Sequence, residues 1–205
     1  MSDMPELFKC PIVPVLTIDA AEQAIPLAEA LQKAGFSALE VTFRTQHAAA
    51  AIAAMRKACP DMNIGAGTIT GQKQFDEACG VGSDFLVSPG CDAALFDLFE
   101  TATMPVFPGI ATPSEAMTAL SHGYKVQKFF PASANGGTAM LKAMAAPLAE
   151  ISFMPTGGID RENMLDYLDL PNVVAVGGSW MIDKTALAKG DWEALGSFAE
   201  QQIRV

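Results

Sequence analysis

The chain has 205 residues, half of them hydrophobic and 18% charged, a balance that excludes a disordered segment and suits one globular domain over residues 1–205. Its net charge of −10, with no basic stripe or run, argues against nucleic acid as a partner. Apolar stretches of about 18 residues are absent, so no membrane span is expected, and the opening MSDMPELFKCP lacks a basic-then-apolar export signal, which points to the cytoplasm.

Short apolar runs alternate with helix-length amphipathic runs. A strand is expected over 12–16, then a helix over 20–34 that stops at Gly35, the residue type best suited to the left-handed position past a helix end. Strand 38–43 precedes an Ala-rich helix over 47–58, which ends before Pro60. Strand 63–67 leads to helix 72–79, and strand 85–87 to helix 93–101. Strand 105–107 is followed by helix 113–121, whose start, Thr112-Pro113-Ser114-Glu115, offers a capping side chain and a proline in the first turn. Strand 125–130, helix 139–145, strand 152–155, helix 161–169, strand 173–176 and helix 191–203 complete the series.

Eight strands alternating with eight helices predict a parallel α/β protein, and the even repeat favours a single (β/α)8 TIM barrel. A doubly wound open sheet is the alternative, weakened because no G-x-G-x-x-G follows the first strand. In a barrel the chemistry belongs at the C-terminal ends of the strands. The unusual polar residues fall there.

Glu40, Thr42 and Arg44 alternate along one strand and share a face, with Val41 and Phe43 on the other. Apolar residues pack outward against the helices, so the polar set points inward. A structural ion pair between Glu40 and Arg44 is the plain reading of this segment. Lys128 is sharper. It shares a face with Val126 and Phe130 in a strongly apolar strand. Burying an ammonium disfavours its charge, and a neutral lysine amine attacks a ketone to form an iminium. The competing reading is a lysine that reaches the rim and pairs with a carboxylate. Lys125, of opposite parity, fits that description better.

Gly157-Gly158 and Gly177-Gly178 follow the seventh and eighth strands, where this fold usually binds phosphate. Glycines let backbone N–H groups approach an anion, and a following helix start adds positive potential. Gly65-Ala66-Gly67-Thr68 ends the third strand; its small residues suit either a ligand or tight packing. Ser88-Pro89-Gly90 and residues 132–137 are turns first and ligand walls second. The four cysteines show no C-x-x-C pair and are expected to be reduced and mostly buried. With only His47 and His122, no metal site is expected.

Taken in order, segments 11–16, 39–45, 65–68, 88–90, 108–110, 128–132, 135–137, 155–159 and 177–180 resemble the 2-keto-3-deoxy-6-phosphogluconate (KDPG) aldolase family. The resemblance implies a class I, Schiff-base aldolase without metal or cofactor. It implies cleavage of KDPG to pyruvate and glyceraldehyde 3-phosphate, and often cleavage of 4-hydroxy-2-oxoglutarate to pyruvate and glyoxylate. By resemblance Lys128 is the Schiff-base lysine and Glu40 the general acid/base. Arg44 and Thr68 hold the pyruvate carboxylate, and Pro89 and Phe130 line the pocket. Gly157, Gly158, Gly178 and Ser179 bind the phosphate, and a homotrimer is expected. Thr156 before Gly157 resembles the gluconate branch; the galactonate epimer is the alternative substrate. Outside the aldolase reading stand a non-catalytic phospho-ligand-binding barrel, which needs neither Glu40 nor Lys128, and a metal-dependent barrel aldolase or epimerase.

Overall fold

The computed structural model describes residues 7–203. The first six residues of the opening segment read above lie outside the described residues. Strand β1 (Ile12–Leu16) is followed by a short 3-10 turn and helix α1 (Ala24–Lys33), then β2 (Ala38–Thr42), α2 (Ala48–Ala58), β3 (Asn63–Gly67) and α3 (Gln72–Gly80). Next come β4 (Leu86–Val87), α4 (Ala93–Phe99), β5 (Val106–Phe107), β6 (Gly109–Ile110) and α5 (Pro113–Ser121). The chain continues through β7 (Val126–Phe129), α6 (Gly137–Ala145), β8 (Ser152–Pro155), α7 (Met164–Leu168), β9 (Val176–Gly178), α8 (Lys184–Lys189) and α9 (Trp192–Ile203).

The end signals work as their chemistry dictates. Gly35 takes φ +104° just past α1. The Thr112 hydroxyl accepts from the Glu115 N–H, and the Glu115 carboxylate accepts back from the Thr112 N–H, closing a capping box on α5. Helix α7 starts later than expected. The Asp160 carboxylate accepts from the N–H groups of Glu162 and Asn163 and holds a turn there instead. Helix α8 has no counterpart in the sequence reading, although Asp183 caps it through Thr185 and Ala186 and Gly190 ends it at φ +67°.

All strand pairs are parallel. They form a six-stranded sheet in the order β5-β4-β3-β2-β1-β9 and a three-stranded sheet in the order β6-β7-β8. This differs from the expected single run of eight strands. The fifth strand is broken at Pro108, which has no N–H to donate. Its first half pairs with β4 and its second with β7. The last strand lies at Val176–Gly178 rather than 173–176, because its ladder with β1 begins at the Ile12–Val176 pair. Between β8 and β9 stand only the isolated bridges Phe153–Val173 and Thr156–Gly177.

The sheets curl, and the two parities of each strand enter different cores. Leu39, Val41, Phe129 and Phe153 join the large cluster packed under the helices. Val13, Ala38, Phe85, Val87, Phe107 and Met154 form a smaller cluster on the inner side, with Leu7 from the chain before β1. Residues of both sheets meet in that inner cluster. It fills the lower interior and leaves Glu40, Lys128 and Thr156, two positions beyond Ala38, Val126 and Met154, above it. Among the described residues no helix is long and apolar enough to cross a membrane.

Candidate active site

Glu40 is the third residue of β2 and Lys128 the third of β7, so they belong to different sheets. Strand parity turns both inward, Glu40 two residues above Ala38 and Lys128 two above Val126. The curl then brings them together. Nζ of Lys128 donates to Oε1 of Glu40 at 3.1 Å and to Oε2 at 3.3 Å. Lys128 is 5% exposed and Glu40 1%. The lysine does not reach the rim, and its partner is a carboxylate inside the curl. The alternative of a structural Glu40–Arg44 pair is not what forms: no ion pair of Arg44 occurs among the described residues. Lys125 behaves as expected, exposed and paired with Glu150 at 3.5 Å.

Space for the carboxylate comes from the neighbouring strand. Glu40 stands beside Gly65 in the β2–β3 register, and a side-chain carbon on Gly67 would collide with the Glu40 carboxylate. At Gly65 the occupant is the Phe85 ring. The glycines of β3 thus make room for the protein's own side chains. Thr68 follows with φ +61°, which is uncommon for a residue other than glycine and marks local backbone strain. Thr42, on the Glu40 face, is buried, and its hydroxyl donates to the Leu16 carbonyl at 2.8 Å.

Above the pair opens a cavity of about 360 Å³ lined by Arg44, Phe130, Thr156, Gly157, Gly158, Gly178 and Ser179, together with Thr17, Ile182 and Lys184. Phe130 joins the two regions: Nζ of Lys128 lies 5.3 Å from its ring centroid. Pro89 is not in this cavity; it lines a separate hollow with Thr70 and Cys91. Lys128, Glu40 and Thr68 lie outside the cavity lining as well.

The glycine loop after β8 is held from behind. The Thr156 carbonyl accepts from the Ala132 N–H and the Gly157 carbonyl from the Ser133 N–H. The Gly158 carbonyl accepts from the Ser133 hydroxyl and the Asn163 amide. These carbonyls are occupied by protein donors, which keeps competing acceptors away from an anion at the loop. Gly157 and Gly158 have φ +100° and +74°, a region that L side chains rarely adopt. Ser133 and Asn163 were not singled out in the sequence. Their role follows from a contact between the loops after β7 and β8, which local spacing does not encode.

Residues 5–198 match the model of the KDPG and KHG aldolase family. The chain belongs to this family. It is 43% identical over 199 residues to the 2-dehydro-3-deoxy-phosphogluconate aldolase of Pseudomonas aeruginosa, covering 93% of this chain and 90% of that protein. The KDPG aldolase of Legionella pneumophila, whose crystal structure has pyruvate captured as a covalent carbinolamine, superposes with a TM-score of 0.89 at 41% identity over 93% of each chain. The Zymomonas mobilis enzyme, solved with 3-phosphoglycerate, gives 0.85 at 37% identity over 96% of each chain.

Among the described residues no group of three or more His, Cys, Asp or Glu side chains could hold a metal ion. His122 stacks on Phe96 at 4.3 Å and bonds to Glu100 at 2.8 Å, a packing role. All four cysteines are free, but only Cys59 is fully buried, fewer than expected. Burial, with the Asp92 charge adding to it, pushes the Cys91 thiol up to about 12.

Proposed function

We propose that this chain is a class I aldolase that cleaves KDPG to pyruvate and glyceraldehyde 3-phosphate, with 4-hydroxy-2-oxoglutarate as a second substrate. The observation that carries this reading is the buried Lys128–Glu40 contact. A nucleophile and an acid/base within hydrogen-bond reach are what Schiff-base chemistry requires.

Lys128 adds to the C2 ketone, giving a carbinolamine, and loss of water gives the iminium. Removal of the C4 hydroxyl proton then breaks the C3–C4 bond, with its electron pair flowing into the iminium to form an enamine. Glyceraldehyde 3-phosphate leaves. Protonation of C3 and hydrolysis release pyruvate and the free lysine. Once covalently engaged, Lys128 cannot move these protons itself. Glu40 takes and returns them, directly or through water. Arg44 and Thr68 hold the carboxylate, Phe130 walls the pocket with Pro89 contributing from the separate hollow it lines, and Thr156 faces the sugar hydroxyls of the gluconate rather than the galactonate epimer. Gly157, Gly158, Gly178 and Ser179 cradle the phosphate, needing neither metal nor cofactor.

In this reading the curled sheets close as an eight-stranded barrel over one domain of residues 1–205, with β5 and β6 counting as one strand interrupted at Pro108. The chain works in the cytoplasm as a homotrimer, in the Entner–Doudoroff route of sugar breakdown. The deciding experiment is incubation with pyruvate and borohydride, followed by intact mass and peptide mapping. A reduced pyruvyl adduct on Lys128 is expected. An adduct on Lys125, or none, refutes the assignment.

A further inference from the structure

The glycine loops that face the cavity carry partial charges but no net charge. A phosphate monoester is close to a dianion at neutral pH, and the whole chain is acidic, at −10. Two cationic side chains line the cavity, Arg44 and Lys184. Arg44 follows the strand that carries Glu40. Lys184 comes from the first position of α8, directly after the loop that follows β9. Ile182 and Leu187 of the same segment also line the cavity, so this segment forms one of its walls. The adjacent carboxylate makes no ion pair with the lysine. Asp183 is engaged in capping, accepting from the N–H groups of Thr185 at 2.8 Å and Ala186 at 3.2 Å. Among the described residues no ion pair holds Lys184 elsewhere.

We propose that Lys184 is a specificity-determining residue: its ammonium pairs with the phosphate monoester of the substrate opposite the glycine loops. The proposal rests on the aldolase reading for the identity of the substrate, though not for the binding of phosphate. Lys184 touches no reacting atom. It supplies the net charge that backbone N–H groups lack, and it raises the preference for phosphorylated over unphosphorylated substrate. Asp183 assists by fixing the start of α8, which sets where the lysine stem leaves the backbone.

The test compares the full chain with Lys184→Gln and Lys184→Arg on KDPG and on its unphosphorylated analogue. Because the side chain is exposed, the expected effect is modest. KM for KDPG rises about five- to tenfold in Lys184→Gln, with kcat unchanged. KM for the unphosphorylated analogue stays at the wild-type value, and Lys184→Arg retains most of the preference. Inorganic phosphate, measured by calorimetry on the same proteins, weakens by a similar factor in Lys184→Gln. An unchanged KM and an unchanged phosphate affinity overturn the proposal, as does an equal loss on both substrates. Should the wild-type chain cleave neither substrate, the aldolase reading fails, and the phosphate titration alone decides Lys184.

Discussion

Nζ of Lys128 lies 3.1 Å from Oε1 of Glu40, although 88 residues separate the two in the chain. The contact crosses the interior from one sheet to the other, and both partners are almost fully buried. Two consequences follow, one for turnover and one for stability.

Glu40→Gln preserves the shape and an acceptor for the lysine but removes the titrating group. General acid–base catalysis typically contributes about 10²–10⁴-fold, so kcat on KDPG should fall by that order while circular dichroism stays native. A folded Glu40→Gln variant with near-normal kcat would reject the proton-transfer role and leave only a structural pair.

Removing the lysine instead leaves a buried carboxylate without its partner. Lys128→Met should cost about 3–5 kcal/mol in urea unfolding. Adding Glu40→Leu should recover most of it, because two apolar side chains of similar volume replace the pair with little penalty. Both variants should form no pyruvyl adduct. Equal stability of the single and double variants would mean that packing, not uncompensated charge, sets the cost.

Gly67 and Gly65 separate function from packing within one strand. Gly67→Ala pushes against the Glu40 carboxylate, and a displacement of about 1 Å at a catalytic group can cost about 100-fold in rate. Gly65→Ala pushes against Phe85 and should cost about 1–3 kcal/mol of stability by overpacking, with turnover per folded molecule kept. Steady-state kinetics beside thermal melts of both variants decide this; identical profiles for the two would contradict it.

Glu115 gives a pH test remote from the site. The Ala111 N–H, followed by the Thr112 hydroxyl and N–H, holds its carboxyl below the ordinary value of 4.5. A carboxyl whose folded-state pKa is depressed adds stability above its unfolded value and loses it as pH falls through the folded value. Wild type should therefore melt above Glu115→Gln at pH 7, and the gap should close as pH falls past the ordinary carboxyl value and through the depressed folded one. A gap that persists or widens in acid would show that the capping box does not depend on the carboxylate charge.

Much of the architecture was legible along the chain. Among the described residues, eight of the nine helices and all the strand regions follow from apolar periodicity with Gly, Pro and cap residues as punctuation. Helix α8 escaped because its six residues are too few for a periodic pattern, although Asp183 and Gly190 mark both its ends. Lys184 escaped with it. Pro108 was visible, but its effect, splitting the fifth strand between two sheets, depends on which neighbours each half pairs with.

The sequence by itself determined the face on which each strand residue lies. Side chains alternate with a period of two whatever the strand pairs with, so Glu40 and Lys128 had to point inward once the apolar residues pointed out. Only the tertiary structure decided whom they meet. Within β2, Glu40 and Arg44 share a face, and the chain offers no local reason to prefer a partner 88 residues away over one four residues away. The curl of the sheets brings β7 across from β2, and the carboxylate takes the space that Gly67 leaves open. Arg44, beyond the end of β2, is left to face the cavity. Parity is a property of the strand, whereas proximity across the interior is a property of the closed packing.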